Sequence, residues 1–351
     1  MRAVRFHGRE DVRLEEIDDP EPGPGDVLLS VARNGLCGSD VHEYYEGPIA
    51  VTVDPHPLTG CSVPCVLGHE FSGWVIDVGA DVDDVPTGSL VAVEPIETCG
   101  ECARCRAGRR HLCRRLAFHG YNRAGGGLAE RTVVRRDMVH VLPDGLSPLQ
   151  GALVEPMAVS RRAVRRAGAK EGDVAVVHGA GPIGLGALLA LIADRVHVLI
   201  VDPSPVRRAA AAALGAQIVV DPTDVDIVDV VRELTGGIGA ACSIEASGTE
   251  PALTAALLST RPDGTVVVVA HHRAPYPLRS ASLIFNEIVL TGSLIYETSD
   301  FRWVIDGMQR GAYPLDGWVT EIPLQRVVED GFAPLRAQLA NKIVVRVAAG
   351  P

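Results

Sequence analysis

The pattern of apolar and polar positions divides the chain into two parts of different texture. Up to about residue 150, short β-branched runs alternate with turn-forming glycine and proline residues. Runs of this kind occupy residues 27–31, 74–78, 90–93 and 131–134. Short strands with frequent turns and little helical periodicity predict a β-rich, barrel-like domain.

From about residue 155, stretches of strand character alternate with stretches of helical periodicity. Strands are predicted at residues 174–178, 196–201, 218–220, 241–245 and 265–270, and helices at residues 182–192, 205–214, 227–235 and 250–258. This alternation predicts βαβ units around a parallel sheet. After about residue 296 the pattern becomes mixed, and it ends in a strand-like run at residues 343–347. The expected fold class is therefore α/β.

One apolar run, residues 174–193, is long enough to span a bilayer. It contains four glycines and a proline, which suit a strand, a loop and a helix better than a membrane span. The first 16 residues alternate charged and apolar side chains and lack the apolar core of a secretory signal. The sequence thus predicts a cytoplasmic protein with no membrane partner.

Composition and charge narrow the classes of function. The chain has 351 residues, of which 47% are hydrophobic and 22% charged, as in ordinary globular proteins. Its 33 Lys and Arg are outnumbered by 44 Asp and Glu, so the formal net charge is −11. This balance argues against nucleic acid and anionic membranes as partners. Eight cysteines in a chain without an export signal point to metal binding or catalysis rather than disulfides.

The most specific motif is a run of four closely spaced cysteines on a Gly-rich, Arg-rich segment. The members are Cys99, Cys102, Cys105 and Cys113. Four thiolates can surround a tetrahedral Zn²⁺ with no position left open, which is typical of a structural zinc site. An iron–sulfur cluster is also compatible with four cysteines, and four unligated thiols are the remaining alternative. We expect a zinc lobe at about residues 95–115.

A second, scattered set of residues suits a catalytic metal. Cys37 follows an apolar strand, His69 and Glu70 precede another, and Glu155 lies where the texture changes. One thiolate, one imidazole and one carboxylate make a zinc site with a fourth position open for water or substrate. Singly, each has an alternative role: a lone Cys or His often fills a core, and Glu155 could favour a helix N-terminus. The sequence alone does not bring them together.

The segment HGAGPIG at residues 178–184 follows a predicted strand and opens a predicted helix, as a dinucleotide-binding turn does. Its first glycine allows a tight turn, its second a close approach to pyrophosphate, and its third helix–sheet packing. Asp202 ends the next strand, where a carboxylate accepts ribose hydroxyls and repels a 2′-phosphate, so NAD is favoured over NADP. Arg207 or Arg208 could instead receive a 2′-phosphate, unless both lie along a helix edge. The residues assigned to the cofactor here are Gly179, Gly181, Pro182, Ile183, Gly184, Asp202 and Arg207.

Two further segments follow successive predicted strands, and ligands of open α/β sheets lie at the carboxyl ends of strands. Ser247 lies in the first segment, and Ala270 and His271 lie in the second. These residues are expected to face the nicotinamide half of NAD. The aromatic residues Phe118, His119, Tyr121 and Tyr296 are candidates for the substrate pocket, with ordinary core packing as the alternative.

Together and in this order, the motifs resemble those of the zinc-dependent medium-chain alcohol dehydrogenase family. The segments HEY (42–44), GPI (47–49), HPLTG (56–60) and LGHEFSG (67–73) resemble its (R,R)-2,3-butanediol dehydrogenase branch, with the sorbitol and threonine dehydrogenases as neighbours. The resemblance implies a GroES-like catalytic domain (1–153) and a Rossmann domain (154–295), with a C-terminal segment (296–351) that returns to the first domain. Cys61 and Cys65, which precede the histidine of the last segment, depart from the pattern and are expected to pack, with adventitious metal binding or oxidation as the alternative.

The resemblance also implies roles for individual residues. Cys37, His69 and Glu155 would hold the catalytic zinc, with Glu70 beside it and able to coordinate in some states. Ser39 resembles the hydroxyl of a proton relay and His42 its terminal acceptor, although His42 could be a surface histidine. Asp40 would hydrogen-bond a ligand histidine or act as a turn or cap residue. The apolar runs 283–285 and 288–290 would form a homodimer or homotetramer interface, or else ordinary core.

The expected protein is an NAD-dependent oxidoreductase with two zinc ions per chain, one catalytic and one structural. It would interconvert a small secondary alcohol or vicinal diol and its ketone, best 2,3-butanediol and acetoin. Sorbitol and threonine are the alternative substrates. A zinc-stabilised NAD-binding protein without activity is the non-enzyme alternative, and a zinc-free quinone reductase is disfavoured by Cys37, His69 and the four-cysteine lobe.

Overall fold

The computed structural model describes residues 1–272, 275–278 and 280–348, which fall into two compact units. The first unit comprises Met1–Glu155 and Trp318–Pro351, and the second comprises Pro156–Gly317. The strands are β1 (Arg2–Gly8), β2 (Asp11–Glu16), β3 (Asp26–Gly35), β4 (Cys65–Val66), β5 (Glu70–Val78), β6 (Leu90–Val93), β7 (Ile96–Glu97), β8 (Ala117–Phe118), β9 (Arg131–Arg135), β10 (Val139–Val141), β11 (Val174–His178), β12 (His197–Val201), β13 (Ile218–Val220), β14 (Ala240–Glu245), β15 (Thr260–Val268), β16 (Val289–Gly292), β17 (Val319–Pro323) and β18 (Lys342–Arg346). The helices are α1 (Gly38–Glu46), α2 (Ala103–Arg106), α3 (Pro148–Ala167), α4 (Pro182–Ala193), α5 (Pro205–Ala213), α6 (Ile227–Leu234), α7 (Glu250–Ser259), α8 (Ser280–Asn286), α9 (Thr298–Gln309) and α10 (Ala333–Arg336).

The body of the first unit is a mostly antiparallel sheet with the strand order β10-β6-β5-β3-β18-β17, and β9 also pairs with β3. On β3 the alternate residues Val27, Leu29 and Val31 are fully buried, which is the period-2 pattern of a strand with one face on the core. The C-terminal strand β18 pairs antiparallel with β3, with Val344 opposite Gly35. This pairing places β18 beside the end of β3, which Cys37 follows in the chain.

The second unit is built on a parallel sheet with the strand order β13-β12-β11-β14-β15-β16. Val176, Leu199 and Val201 bury one face of the sheet against Ile227 and Val231 of α6. The order reverses between β11 and β14, and ligands of such sheets bind at the carboxyl ends of the strands at that point. The expected α/β fold class with a parallel sheet is confirmed.

The apolar run at residues 174–193 forms β11, a turn and α4. Within the described ranges, no helix combines the length and the hydrophobicity that crossing a bilayer requires.

The chain returns to the first unit at Trp318, later than the boundary at residue 296 that the sequence suggested. The reason is α9, which is held to the arginine-rich end of α3 within the second unit. Arg165 forms ion pairs with Glu297 and Asp300, and the guanidinium of Arg161 lies 4.0 Å from the ring centre of Trp303.

Strand β15 differs from its prediction at both ends. It begins at Thr260 and ends at Val268, whereas the sequence indicated residues 265–270. The register shifts between the pairs Ala240–Thr260 and Cys242–Thr265, because β15 has more residues than β14 between these pairs and forms a bulge. Asp263 in that bulge has a φ of 58°. The sequence Arg-Pro-Asp-Gly is typical of a turn. Propensity therefore predicted a break here, whereas the strand continues through a bulge.

Candidate active site

Three predicted metal ligands converge in the first unit. One ligand atom each from Cys37, His69 and Glu70 lies within 4.8 Å of the other two. Cys37 is the N-cap of α1 after β3, and β5 begins at Glu70. A Cβ on Gly35 would lie 2.2 Å from a Glu70 carboxylate oxygen, so the absence of a side chain there makes room for this carboxylate. A thiol, an imidazole and a carboxylate at this spacing fit a zinc ion with a position left open.

Asp40 lies behind this cluster and is fully buried. Its Oδ2 accepts the backbone N–H of Cys37 at 2.9 Å, and its Oδ1 lies 3.5 Å from Nδ1 of His69, at the outer limit of a hydrogen bond. Burial disfavours the charged carboxylate, but His69 and the donors around Asp40 outweigh it and hold the pKa of Asp40 below its usual value. Since Nδ1 of His69 faces Asp40, Nε2 is the ring nitrogen available to a metal.

Glu70 has a second partner that sequence reasoning missed. Lys342 forms an ion pair with Glu70, and both side chains are only 1% exposed. The same ammonium donates to the carbonyl oxygen of Leu36, next to Cys37, at 2.9 Å. One buried cation therefore fixes both the end of β3 and the carboxylate of the metal cluster. The only earlier signal was that Lys342 is one of two lysines in an arginine-rich chain.

Glu155 is buried inside α3, seven residues after the helix begins at Pro148. It is therefore not at a helix N-terminus, which the sequence had left open. The described cluster around Cys37 contains Glu70 and does not include Glu155.

Ser39 and His42 lie one turn apart on α1, and both are exposed. Nδ1 of His42 lies 4.0 Å from a carboxylate oxygen of Glu46. The hydroxyl of Tyr121 lies 2.8 Å from Oγ of Ser39 and 2.8 Å from Oδ1 of Asp40. Tyr121, expected only as a pocket aromatic, thus contacts the residues around the metal cluster directly.

The other aromatic candidates differ in their surroundings. Phe118 is half-buried, with its ring centre 6.1 Å from that of His69. His119 is buried against Phe71, and its Nε2 hydrogen-bonds Oγ1 of Thr132 at 2.7 Å, so it belongs to the core. Burial lowers the pKa of His119 to about 3. Tyr296 is fully buried in the second unit beside Phe301, which is a packing environment.

The four cysteines of the lobe lie together. Sγ–Sγ distances are 3.5 Å for Cys102–Cys105, 3.5 Å for Cys99–Cys113 and 3.9 Å for Cys99–Cys105. Sulfurs about 2.3 Å from a tetrahedral zinc lie about 3.8 Å apart, so this arrangement fits the ion. Backbone N–H groups, first that of Arg114, lower the pKa of Cys102 to about 6, which favours the thiolate that binds metal. Outside both clusters, burial raises the pKa of Cys65 to about 12, as expected of a packing residue.

The glycine-rich turn has three different backbone requirements. Gly179 has a φ of 102°, which favours glycine, and a Cβ on Gly184 would lie 1.8 Å from the carbonyl oxygen of Gly179. A Cβ on Gly181 would meet no atom within 4 Å, so its backbone is open to a ligand. Pro182 and Ile183 open the twelve-residue helix α4, whose free N–H groups suit a pyrophosphate.

Asp202 supports this turn. It is 2% exposed, its Oδ2 accepts the N–H of Ala180 at 2.7 Å, and its Oδ1 accepts the N–H of Ser204 at 2.8 Å. Each carboxylate oxygen can accept two hydrogen bonds and accepts one here from a backbone N–H, so acceptor capacity remains for ribose hydroxyls. Arg208 pairs with Asp221 at 2.6 Å, and Arg207 lies 4.0 Å from Asp202. Both guanidinium groups therefore have acidic neighbours, as expected for a helix edge.

The two loops after β14 and β15 are joined by a residue that the sequence did not single out. Glu245 is fully buried, and its Oε1 accepts the N–H groups of Ser247 and Gly248 at 2.7 and 2.8 Å. Its Oε2 lies 2.9 Å from Nε2 of His272. A Cβ on Gly248 would lie 3.1 Å from the carbonyl oxygen of His271 and 3.5 Å from the Cβ of Ala270. The predicted residues Ser247, Ala270 and His271 thus share one edge of the sheet.

Comparisons with known proteins agree with this arrangement. Residues 23–144 match the alcohol dehydrogenase GroES-like domain, and residues 182–310 match the zinc-binding dehydrogenase domain. An (R,R)-butanediol dehydrogenase from Neisseria gonorrhoeae is 36% identical, over 98% of this chain and 99% of that protein. The crystal structure of 2R,3R-butanediol dehydrogenase from Bacillus subtilis superposes with a TM-score of 0.93 at 38% identity, covering 98% of this chain and 99% of that one. A sorbitol dehydrogenase from Bacillus subtilis is 33% identical over 84% of this chain and 82% of its own length.

Proposed function

The chain belongs to the zinc-binding, medium-chain alcohol dehydrogenase family and is an oxidoreductase acting on CH–OH groups; we propose that it interconverts 2,3-butanediol and acetoin with NAD. The observation that carries this proposal is the cluster of Cys37, His69 and Glu70, with the exposed residue Ser39 two positions after Cys37. Similarity over nearly the whole chain to (R,R)-butanediol dehydrogenases supports the diol as substrate and an R carbinol centre as the preferred one.

In the proposed site, Cys37 and His69 hold a catalytic zinc together with a carboxylate. Glu155 remains the predicted third ligand, because Glu70 is already paired with the ammonium of Lys342. When bound, zinc supplies a Lewis acid that lowers the pKa of an alcohol oxygen. Asp40 orients His69, and Ser39 receives the proton that the alcohol must lose while its own hydroxyl proton passes on toward His42. His42, exposed on the same face of α1, is the proposed route of that proton to water.

The second unit supplies the cofactor site in this proposal. The glycine turn 179–184 receives the pyrophosphate, and the carboxylate of Asp202 receives the adenosine ribose and disfavours a 2′-phosphate. Ser247, Ala270 and His271 lie at the sheet edge proposed to hold the nicotinamide. We take NAD as the nucleotide, and two zinc ions per chain, with the four-cysteine lobe holding the structural one.

A vicinal diol suits a site with one open metal position, since one hydroxyl can bind the metal while its neighbour finds a polar partner. Sorbitol is the second candidate, because a sorbitol dehydrogenase is 33% identical over 84% of this chain. None of the eight cysteines, all of which lie in the described ranges, forms a disulfide, which supports the cytoplasm as the proposed location.

The test is kcat/KM for (R,R)-, meso- and (S,S)-2,3-butanediol, sorbitol, threonine and ethanol, each with NAD and with NADP. The expected order places (R,R)-2,3-butanediol with NAD first. Sorbitol or threonine exceeding every butanediol isomer tenfold would overturn the substrate and leave the zinc dehydrogenase assignment standing. Cys37→Ala is the matched control, in which turnover is lost while NADH binding to the second unit persists.

A further inference from the structure

Tyr121 joins two groups that the sequence had treated separately. Its side chain is buried, and its ring centre lies 4.8 Å from that of His69. Its hydroxyl oxygen lies 2.8 Å from Oγ of Ser39 and 2.8 Å from Oδ1 of Asp40. Ser39 itself is an exposed residue on α1, so it can be reached from outside the core while it contacts Tyr121.

The number of hydrogens fixes the direction of these two hydrogen bonds. A phenol carries one hydrogen, and an ionised carboxylate can only accept. Oδ2 of Asp40 already accepts the N–H of Cys37 at 2.9 Å, and Oδ1 accepts the Tyr121 hydrogen at 2.8 Å. A charge-assisted hydrogen bond of this kind is stronger than a neutral one. The oxygen of Tyr121 is then left as the acceptor for the hydroxyl hydrogen of Ser39.

We propose that Tyr121 is a positioning residue that orients the Ser39 hydroxyl for the alcohol. With its hydrogen directed at Tyr121, Ser39 presents the lone pairs of Oγ on its exposed side. An alcohol O–H arriving there meets an acceptor rather than a competing donor. Tyr121 takes part in no bond making or breaking; it sets the orientation in which Ser39 accepts the alcohol, and the Ser39 hydrogen turns from Tyr121 to its onward acceptor only as the proton transfers. This role rests on the proposed alcohol oxidation.

The same contacts also link Tyr121 to His69 through Asp40. Tyr121 could therefore affect turnover only by holding the metal ligand His69 in place, which would be a purely structural role. The two connections predict different results. If Tyr121 acts through Ser39, its effect disappears once Ser39 has no hydroxyl. If it acts through Asp40, its effect persists without Ser39 and is accompanied by weaker zinc retention, because partners of a ligand histidine change metal affinity by about 10–100-fold.

The experiment is a double-mutant cycle of Tyr121→Phe and Ser39→Ala in the zinc-loaded enzyme. We expect Tyr121→Phe to lower kcat/KM for (R,R)-2,3-butanediol about tenfold, the scale of one lost hydrogen bond, and Ser39→Ala to lower it about a hundredfold. The double variant should match Ser39→Ala. Zinc loss to a chelator should change less than about threefold in Tyr121→Phe but at least about tenfold in Asp40→Asn. Equal losses from Tyr121→Phe in both backgrounds, or zinc loss like that of Asp40→Asn, would overturn the proposal.

A cycle of thermal stability on the same four proteins without substrate tests the Ser39–Tyr121 hydrogen bond independently. Non-additive stabilities are expected, and additive ones would overturn the orientation of Ser39. An inactive wild type would defeat the proposed function, while this second cycle would still decide the hydrogen bond. Tyr313→Phe is the matched control: Tyr313 is also buried, and its hydroxyl has no hydrogen-bond partner among the described residues. Its turnover should equal that of the wild type.

Discussion

At the scale of single residues, Lys342 links the metal cluster to the end of β3, and its loss is expected to destabilise the first unit. It is a buried cation whose partners are the carboxylate of Glu70 and the carbonyl oxygen of Leu36. Breaking a buried ion pair by removing one partner leaves the other charge uncompensated, at a cost of about 3–5 kcal/mol. Replacing both partners costs much less.

Lys342→Met is therefore expected to lower the free energy of unfolding of the first unit by about 3 kcal/mol. Adding Glu70→Gln should recover most of this loss. Denaturant unfolding followed by a probe in the first unit measures both effects. If the double variant were less stable than Lys342→Met, the charge of Glu70 would not be the cause. Lys170→Met, at the surface lysine, serves as the control.

His178 makes the stability of the second unit depend on pH. It is 1% exposed, and neither ring nitrogen has a hydrogen-bond partner among the described residues. Burial lowers the pKa of His178 to about 4 from an unfolded value near 6.5. Between these values the unfolded chain binds more protons than the folded one, so stability falls as the pH drops from 6.5 to 4. The loss available from this one residue is about 3 kcal/mol.

His178→Phe should therefore remove this acid loss in the second unit and also stabilise the unit at pH 7, since it leaves no unsatisfied nitrogens. Calorimetric melting between pH 4 and pH 8 tests both statements. A pH dependence in the second unit equal to that of the wild type would show that His178 does not contribute. The first unit contains its own buried histidine, His119, whose pKa is about 3. Because His178→Phe does not touch that residue, the acid sensitivity of the first unit should be the same in the variant and in the wild type.

At the scale of elements, the turn between β11 and α4 depends on Asp202 for both structure and selectivity. Asp202→Asn keeps an oxygen for the N–H of Ala180 but removes the charge that repels a 2′-phosphate. We expect the ratio of kcat/KM for NAD to that for NADP to fall about tenfold, which corresponds to about 1.4 kcal/mol. Asp202→Gly should lower the ratio similarly and also destabilise the second unit. An unchanged ratio in both variants would mean that another residue reads the ribose; Asp224→Asn, on the surface, is the control.

In the four-cysteine lobe, the proposed structural zinc would contribute folding free energy directly, because a bound structural metal stabilises the folded state alone. Cys102→Ser is expected to lose one zinc of two and to lower the melting temperature of the first unit by about 5 °C or more. The melting of the second unit should not change. Metal analysis with calorimetry checks this, and Cys61→Ser, a half-buried thiol outside both clusters, is the control. Retention of two zinc ions at full stability would remove the structural assignment.

At the scale of the whole molecule, the edge of the parallel sheet in the second unit is apolar and exposed. Strand β16 is the last in the strand order, and its Val289 is 54% exposed; Ile284 and Phe285 on α8, which precedes β16 in the chain, are 68% and 84% exposed. Unpaired strand edges and contiguous apolar side chains are features of self-association surfaces. A two-fold pairing of this edge would bury both features at once. We therefore propose a homodimer, or a homotetramer built from it.

Phe285→Glu is expected to convert this assembly to monomers at micromolar concentration, because it places a charge on the most exposed of these three apolar side chains. Multi-angle light scattering measures the mass directly. Leu339→Glu, equally exposed but in the first unit, should leave the mass unchanged. A monomeric wild type would contradict the proposal.

The sequence by itself determined the features that depend on short stretches of chain. The alternation of strands and helices from residue 174 to residue 258 follows from periodicity, and β11 and β13 have the bounds that were predicted. The glycine turn and the four-cysteine lobe are local as well, because their chemistry lies within 7 and 15 residues and needs no distant partner. Full-length similarity to known dehydrogenases then agrees with the family that these motifs indicated.

Only the tertiary structure decided the contacts between distant segments. Lys342 meets Glu70 across 272 positions, and Tyr121 meets Asp40 across 81. These meetings depend on the register of β3 with β5 and with β18, and alternating apolar patterns are compatible with several registers. The bulge in β15 and the contact between Glu245 and His272 likewise could not be predicted from the neighbouring sequence alone. Sheet pairing selects one register because it buries the core as a whole, and that selection assembles the site.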